Sequence, residues 1–500
     1  MPILRQLSDA AAVLPMMKKR FHINLLASTL LTICTVLVLP GSSAAQSKLN
    51  LPQMGEPADQ VMSLRDERRI GRGFMRQIRR QVPLVRDQEV NQYIQQLGKR
   101  LVASQPGTNP DDFTFFIVDN AEINAFAIPG GFIGINSGLI TAAANESQLA
   151  SVVAHEAAHV MQRHIARAVS NQGNQTVRTA ATILAAILVA QSSPEAGQAA
   201  LLTGLAASRQ SSINFTRANE YDADRIGIQL LADANYNPRG MVDFFEVLRK
   251  RVALNVTEQL EFLRTHPLTN NRISEARNSA DRLANPVGIQ NSIDFQFQQM
   301  KMRVLHTDDP EQMLRALSKG HMSSSESTRV YGQILLSLET GRAQQATALA
   351  EKLLAIQPYN NSARLAAARV ALQNSDYDRA ESLLTSITDI QPDNYAATEV
   401  LVDTLLPQGK KNDAERTMQQ YLRSARRPVP AAYRKYASVL ESRGQLTAAH
   451  EAMANHYFSI DETTVAVRQL ELALKTAEED SNDSSRVSAR INQVKKALKK

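Results

Sequence analysis

"ASVVAHEAAHVMQRH", residues 150–164, decides the reading of this chain. His155 and His159 stand four residues apart, with Glu156 directly after the first, in an apolar, alanine-rich run. On a helix, positions i and i+4 are separated by about 40° around the axis and roughly 6 Å along it. Both imidazoles can therefore face one ion. Glu156 is adjacent but rotated, where it can accept a proton from a water on the metal instead of binding the metal. This is the H-E-x-x-H arrangement of zinc peptidases. Zinc suits it, because imidazole and carboxylate are its ligands and catalytic sites leave one position open.

A third ligand has to come from elsewhere. The H-E-x-x-H-x-x-G-x-x-H pattern would need Gly at 162 and His at 165, but Gln162 and Ile165 stand there. On a continuous helix His164 is about 180° from His155, so it reads as a structural or surface histidine. "NEYDAD" (219–224) supplies Glu220, with Asp224 on the same helical face. Glu220 can complete a His-His-Glu set. Asp224 can accept a hydrogen bond from a ligand imidazole and fix its tautomer. The bland alternative has the two acids pairing with Arg217 or Arg225 at the surface.

Around these motifs the texture changes. Residues 59–103 follow a helical pattern, whereas "FTFFIVDN" (113–120) and "AFAIPGGFIGINSGLI" (125–140) are aromatic, β-branched and broken by turn residues, which predicts two or three strands. Helices are expected over 146–169 and 219–234. Between them, residues 178–208 are apolar apart from a break at Pro194 and Glu195. Each half is too short to span a bilayer comfortably. A buried helical hairpin is one reading; an apolar lid, giving a peripheral membrane contact, is the other.

After residue 300, a linker is expected over 301–324. Ala346, Ala380, Ala414 and Ala448 then recur every 34 residues, as do Leu338, Leu372, Leu406 and Leu440. That is the period of tetratricopeptide helix pairs, so residues 325–478 read as an α-solenoid with a groove suited to polypeptide. Residues 479–500 read as a basic helix or tail.

The first 45 residues read as a targeting segment, with a retained membrane anchor as the alternative because the apolar run is near the lower limit for spanning. "MMKKRF" is basic, Ile23–Pro40 is uncharged and apolar, and Ser43 and Ala45 offer a cleavage site near Ala45. Such a segment implies export to an oxidising compartment. Cys34, the only cysteine, lies inside the apolar run, so the mature chain has neither thiol nor disulfide. Of the formal charge of +7, this segment contributes +3 through Arg5, Lys18, Lys19 and Arg20 against Asp9. The remaining mild excess, without a basic-aromatic patch, does not point to nucleic acid.

"NAFAIPGGFIGINSGLI", "ASVVAHEAAHVMQRH", "NEYDADRIGIQLL" and "THPLTNNRI" occur in the order and approximate spacing of the Ste-type and HtpX-type zinc endopeptidases, which the chain resembles over residues 55–285. The resemblance implies a mainly α protein. A zincin-type α+β metallopeptidase domain (46–300) is followed by the α-solenoid of tetratricopeptide repeats. It implies one zinc ion on His155, His159 and Glu220, with Glu156 as base. It also implies an edge strand around Ile128, Gly130 and Gly131 against which a polypeptide substrate lies. With an export signal ahead and repeats behind, it extends to exported family members acting in outer-membrane protein quality control. Outer-membrane β-barrel proteins and their assembly machinery are then the partners. The competing class is a chaperone or assembly adaptor with a latent or vestigial metal site. A membrane-embedded prenyl-protein protease would need longer apolar segments.

His266, before Pro267, is biased away from helical geometry. It reads as a plain loop histidine, as a donor to the oxyanion, or as a fourth ligand that holds the enzyme latent.

Overall fold

The computed structural model describes residues 62–170, 209–253, 261–283, 291–320, 324–478 and 481–498. The expected signal peptide and the apolar stretch 178–208 lie outside them. The first described helices are α1 (Leu64–Gln81) and α2 (Gln88–Ala103), each opened by a side-chain cap, Ser63 and Asp87. The aromatic and β-branched runs form β1 (Thr114–Val118), β2 (Ala125–Ile128) and β3 (Phe132–Asn136). The sheet order is β1-β3-β2, with β1 parallel and β2 antiparallel to β3.

Ile128 ends the β2 edge strand. Gly130 and Gly131 instead form the β2–β3 turn, at φ of 83° and 92°. A side chain on Gly131 would strike the Asp112 carbonyl, and one on Gly130 the Arg68 backbone. The expected substrate strand is thus Ala125–Ile128, with the two glycines held in a packed turn.

Behind the sheet, α3 (Ser137–Ala142) leads into α4 (Glu146–Met161), which carries H-E-x-x-H. Asn145 caps α4 by accepting from the Gln148 amide. The helix is buried on nearly every side, which explains its alanines: only small residues let several elements close around it. The helix expected to run on to 169 stops at Met161. Arg163 takes a positive φ of 55° before α5 (His164–Ser170) begins. Opposite α4 lies α6 (Arg209–Asp233), followed by α7 (Gly240–Ala253), the short α8 (Glu261–Thr265) and α9 (Asn270–Leu283). Gly227 on α6 makes the α4–α6 approach possible. A Cβ there would lie 3.2 Å from the His155 amide nitrogen.

The expected linker is helical. α10 (Ile293–Leu305) and α11 (Pro310–Ser318) each pack on α12 (Glu326–Glu339), where Phe297, Met300, Val304 and Leu317 share a core with Val330, Tyr331 and Ile334. Helix pairs follow: α13 (Ala343–Ile356) with α12, α14 (Asn361–Gln373) with α15 (Tyr377–Thr388), and α16 (Tyr395–Leu405) with α17 (Lys411–Ser424). Then come α18 (Pro430–Ser442) with α19 (Leu446–Ser459), and α20 (Thr463–Thr476) with α21 (Asn482–Leu498). Ala346, Ala380 and Ala414 are fully buried where paired helices touch. The turns inside three successive pairs place Gly341, Ser375 and Gly409, again 34 residues apart, at positive φ. The basic tail is α21, and it buries Val487, Ile491 and Val494 against the last repeat.

A buried charge cluster ties α2 to the repeats. Glu89 lies 2.6 Å from Lys301 Nζ and 3.4 Å from Arg369, and accepts from the Tyr331 hydroxyl. Burial alone would raise its carboxyl, but Lys301 and Arg369 hold it down at about 2. A depressed carboxylate adds stability above its ordinary value, and this is lost as pH falls toward the folded one. From pH 5 to 2 the wild type should therefore lose stability that a Glu89→Gln variant does not. Melting of the wild type and Glu89→Gln across that range tests this. Identical pH dependence in both would refute it.

Candidate metal centre

α4 and α6 bring the two sequence motifs face to face. His159 Nε2 is 3.0 Å from His155 Nε2. Glu220 on α6 completes the group, with Oε2 3.5 Å from His155 Nε2 and Oε1 3.4 Å from His159 Nε2. His266, just after α8, adds Nδ1 at 3.2 Å from His155 Nε2 and 3.0 Å from Glu220 Oε2. Donor atoms of these four side chains all lie within 4.8 Å of one another.

These spacings test whether a metal fits. Donors at about 2.0–2.1 Å around a tetrahedral ion stand about 3.3 Å apart. The observed separations of 3.0–3.5 Å match that figure, and the donor chemistry is right. Glu156 is buried at 1 % exposure and stands outside the donor group, with Oε1 3.3 Å from His266 Nε2. Its adjacency to His155 carries it to the neighbouring face, as helical geometry requires.

Each donor is held from behind. Asp224, one turn beyond Glu220, places Oδ1 2.9 Å from His155 Nδ1. Arg272, at the start of α9, grips Asp224 with Nε and Nη2 at 2.8 Å each. Its Nη1 stands 2.9 Å from Glu220 Oε2 and donates to the Pro267 carbonyl at 2.9 Å. Phe262 stacks on the His266 ring at 4.7 Å. The bland pairing of Glu220 and Asp224 with Arg217 or Arg225 is replaced by this clamp, while Arg225 pairs with Asp222. Arg272 escapes the sequence reading, because its partners lie on a different helix about fifty residues earlier in the chain.

The charges follow from these contacts. Burial disfavours the charged form of His155, but Asp224 and Glu220 outweigh it and push the imidazole up to about 10. Burial would raise Glu220, yet His266, His155 and His159 hold it well below the ordinary carboxylate range. Asp224 is likewise lowered against its burial by His155 and Arg272. Burial lowers His159. It also pushes His164 down to about 2, so that ring stays neutral. His164 is 4 % exposed and touches His159, a buried place where the sequence offered either a structural or a surface histidine.

The fold and this donor group define a metallopeptidase of the H-E-x-x-H kind carrying a tetratricopeptide array. The sequence matches Peptidase family M48 over residues 88–280 and the tetratricopeptide repeat over 337–393 and 371–439. It is 35 % identical over 402 residues to the beta-barrel assembly-enhancing protease of Escherichia coli (strain K12), covering 80 % of this chain and 81 % of that protein. It is 31 % identical over 159 residues to the mitochondrial metalloendopeptidase OMA1 of Saccharomyces cerevisiae, covering 31 % and 42 %. A solved tetratricopeptide repeat protein from Parabacteroides merdae aligns at 13 % identity over 53 % of this chain and 96 % of that one, with a TM-score of 0.29. The chain belongs to the family of the beta-barrel assembly-enhancing proteases, and it is a metalloendopeptidase.

Proposed function

We propose that this is a periplasmic, single-zinc endopeptidase that assists assembly of outer-membrane β-barrel proteins and degrades those that misfold or stall. The observation that carries the reading is the tetrahedral spacing of His155, His159 and Glu220. The names of the relatives support the client class. The expected signal peptide supports the compartment, and among the described residues no helix is long and apolar enough to cross a membrane. Residues 46–300 would be the peptidase and 325–478 the repeats that hold the client.

In this reading zinc, when bound, supplies a Lewis acid and lowers the pKa of water. Glu156 takes the proton of the attacking water and delivers it to the leaving amine. Asp224 keeps His155 Nδ1 protonated, so that Nε2 offers its lone pair. A client segment would lie antiparallel along β2, using backbone groups at Ala125–Ile128. Arg272 bridges the two buried carboxylates and holds them in place.

The second reading, a chaperone or adaptor whose peptidase is latent, is favoured by one feature. His266 stands among the donors, where it would act as a fourth ligand. Casein and an unfolded β-barrel protein, each incubated with and without chelator, test the main reading. Cleavage should vanish with the metal and return with added zinc. Purified protein lacking stoichiometric zinc, or cleavage untouched by chelator, would overturn it.

A further inference from the structure

His164 stands outside the donor group and outside the proposed chemistry, yet it is built into the centre. Three observations converge on it. α4 ends at Met161, and Arg163 adopts the left-handed conformation, φ 55°, which non-glycine residues rarely take. Arg163 is held there by side-chain contacts far away in sequence: Nε donates to Glu67 at 2.7 Å and Nη2 to the Met62 carbonyl at 2.6 Å. The turn so fixed carries the His164 ring back against His159, with Nδ1 of the two rings 2.8 Å apart and the rings edge to face at 4.9 Å.

At that separation one Nδ1 carries a proton and the other accepts it. His159 Nε2 faces the donor group, so a metal there takes its lone pair and the His159 proton must sit on Nδ1. His164 then accepts at Nδ1 and carries its own proton on Nε2. We infer that His164 is a positioning residue for the metal centre: its Nδ1 selects the tautomer and fixes the ring plane of His159. This rests on the ligand role proposed for His159. The two imidazole ligands are then held unequally, His155 by the Asp224 carboxylate and His159 by a neutral ring. A carboxylate partner raises ligand basicity more, so His159 is the weaker donor of the pair and depends more on being oriented.

Three variants of the full chain separate orientation from packing. His164→Phe keeps the ring but removes the acceptor, His164→Ala removes both, and His164→Asn restores an acceptor oxygen near the Nδ1 position. The readout is the zinc dissociation constant from competition with a chromophoric chelator, alongside melting of the metal-free protein. Phe and Ala should weaken zinc about 10–100-fold, while Asn stays within about threefold of wild type. Should the Phe variant fail to fold, the Ala and Asn variants decide by the same criterion. Wild-type affinity in the Phe or Ala variant, or an Asn variant as weak as Ala, would overturn the inference. His159→Ala, measured in parallel, keeps the two claims apart. If it too binds zinc normally, the ligand assignment has failed rather than the role of His164.

Discussion

Replacing Glu156 by Gln should lower peptide hydrolysis by about 10²–10⁴-fold and leave zinc in place. The two effects separate because the structure separates the residues. The carboxylate lies on α4 beside His155 but outside the donor group, 3.3 Å from His266 Nε2 and buried at 1 % exposure. Gln matches it in shape, so the packing around it is preserved. The amide cannot take a proton from water at neutral pH, nor return one to the leaving amine. Zinc content and turnover of a fluorogenic peptide, measured on the same preparation, check both halves. Near-wild-type turnover removes Glu156 as the base. Loss of zinc instead shows that it supports the ligands. The inactive variant should also retain clients in its groove, so what co-purifies with it names the substrate.

The sequence shows most where one local period governs the structure. The 34-residue recurrence of alanine and leucine marks helix pairs because each pair meets the same neighbour in the same way. The i, i+4 spacings of His155 with His159 and of Glu220 with Asp224 place each pair on one helical face without help from the rest of the chain. What escapes is whatever a distant residue decides. A helical run through "HVMQRHIARAV" reads as unbroken, and only the grip of Glu67 and Met62 on Arg163 reveals the turn that delivers His164. Arg272 shows no local sign of its duty, since its partner Asp224 lies 48 residues away. The segment α10–α11 looks like a linker because residues 306–309 interrupt it with polar and turn-forming side chains. Its apolar face becomes meaningful only against α12.

The same dependence on tertiary placement governs His266, for which a latch and an oxyanion donor predict opposite results. Backbone geometry alone leaves the choice open: its amide donates to the Phe262 carbonyl at 2.8 Å and the ring stacks on Phe262. The positions of the two ring nitrogens favour the latch. Nδ1 stands among the donors, 3.2 Å from His155 Nε2 and 3.0 Å from Glu220 Oε2, while Nε2 faces Glu156 at 3.3 Å. One side chain thus stands where a fourth ligand would and lies beside Glu156 as well. A donor to the oxyanion would instead stand back from the ligands, with a free N–H aimed at the reacting carbonyl. Four protein donors make a closed site of the structural kind, which activates no water. His266→Ala should therefore raise hydrolysis of a short peptide, on the order of tenfold if the open form is about a tenth of the resting population. Self-cleavage should appear on a gel, and zinc should bind more weakly, so the assay is run at saturating zinc. A fall of about 10²–10³-fold with zinc retained would assign the oxyanion role instead. Unchanged turnover with unchanged zinc affinity would leave His266 a plain loop histidine.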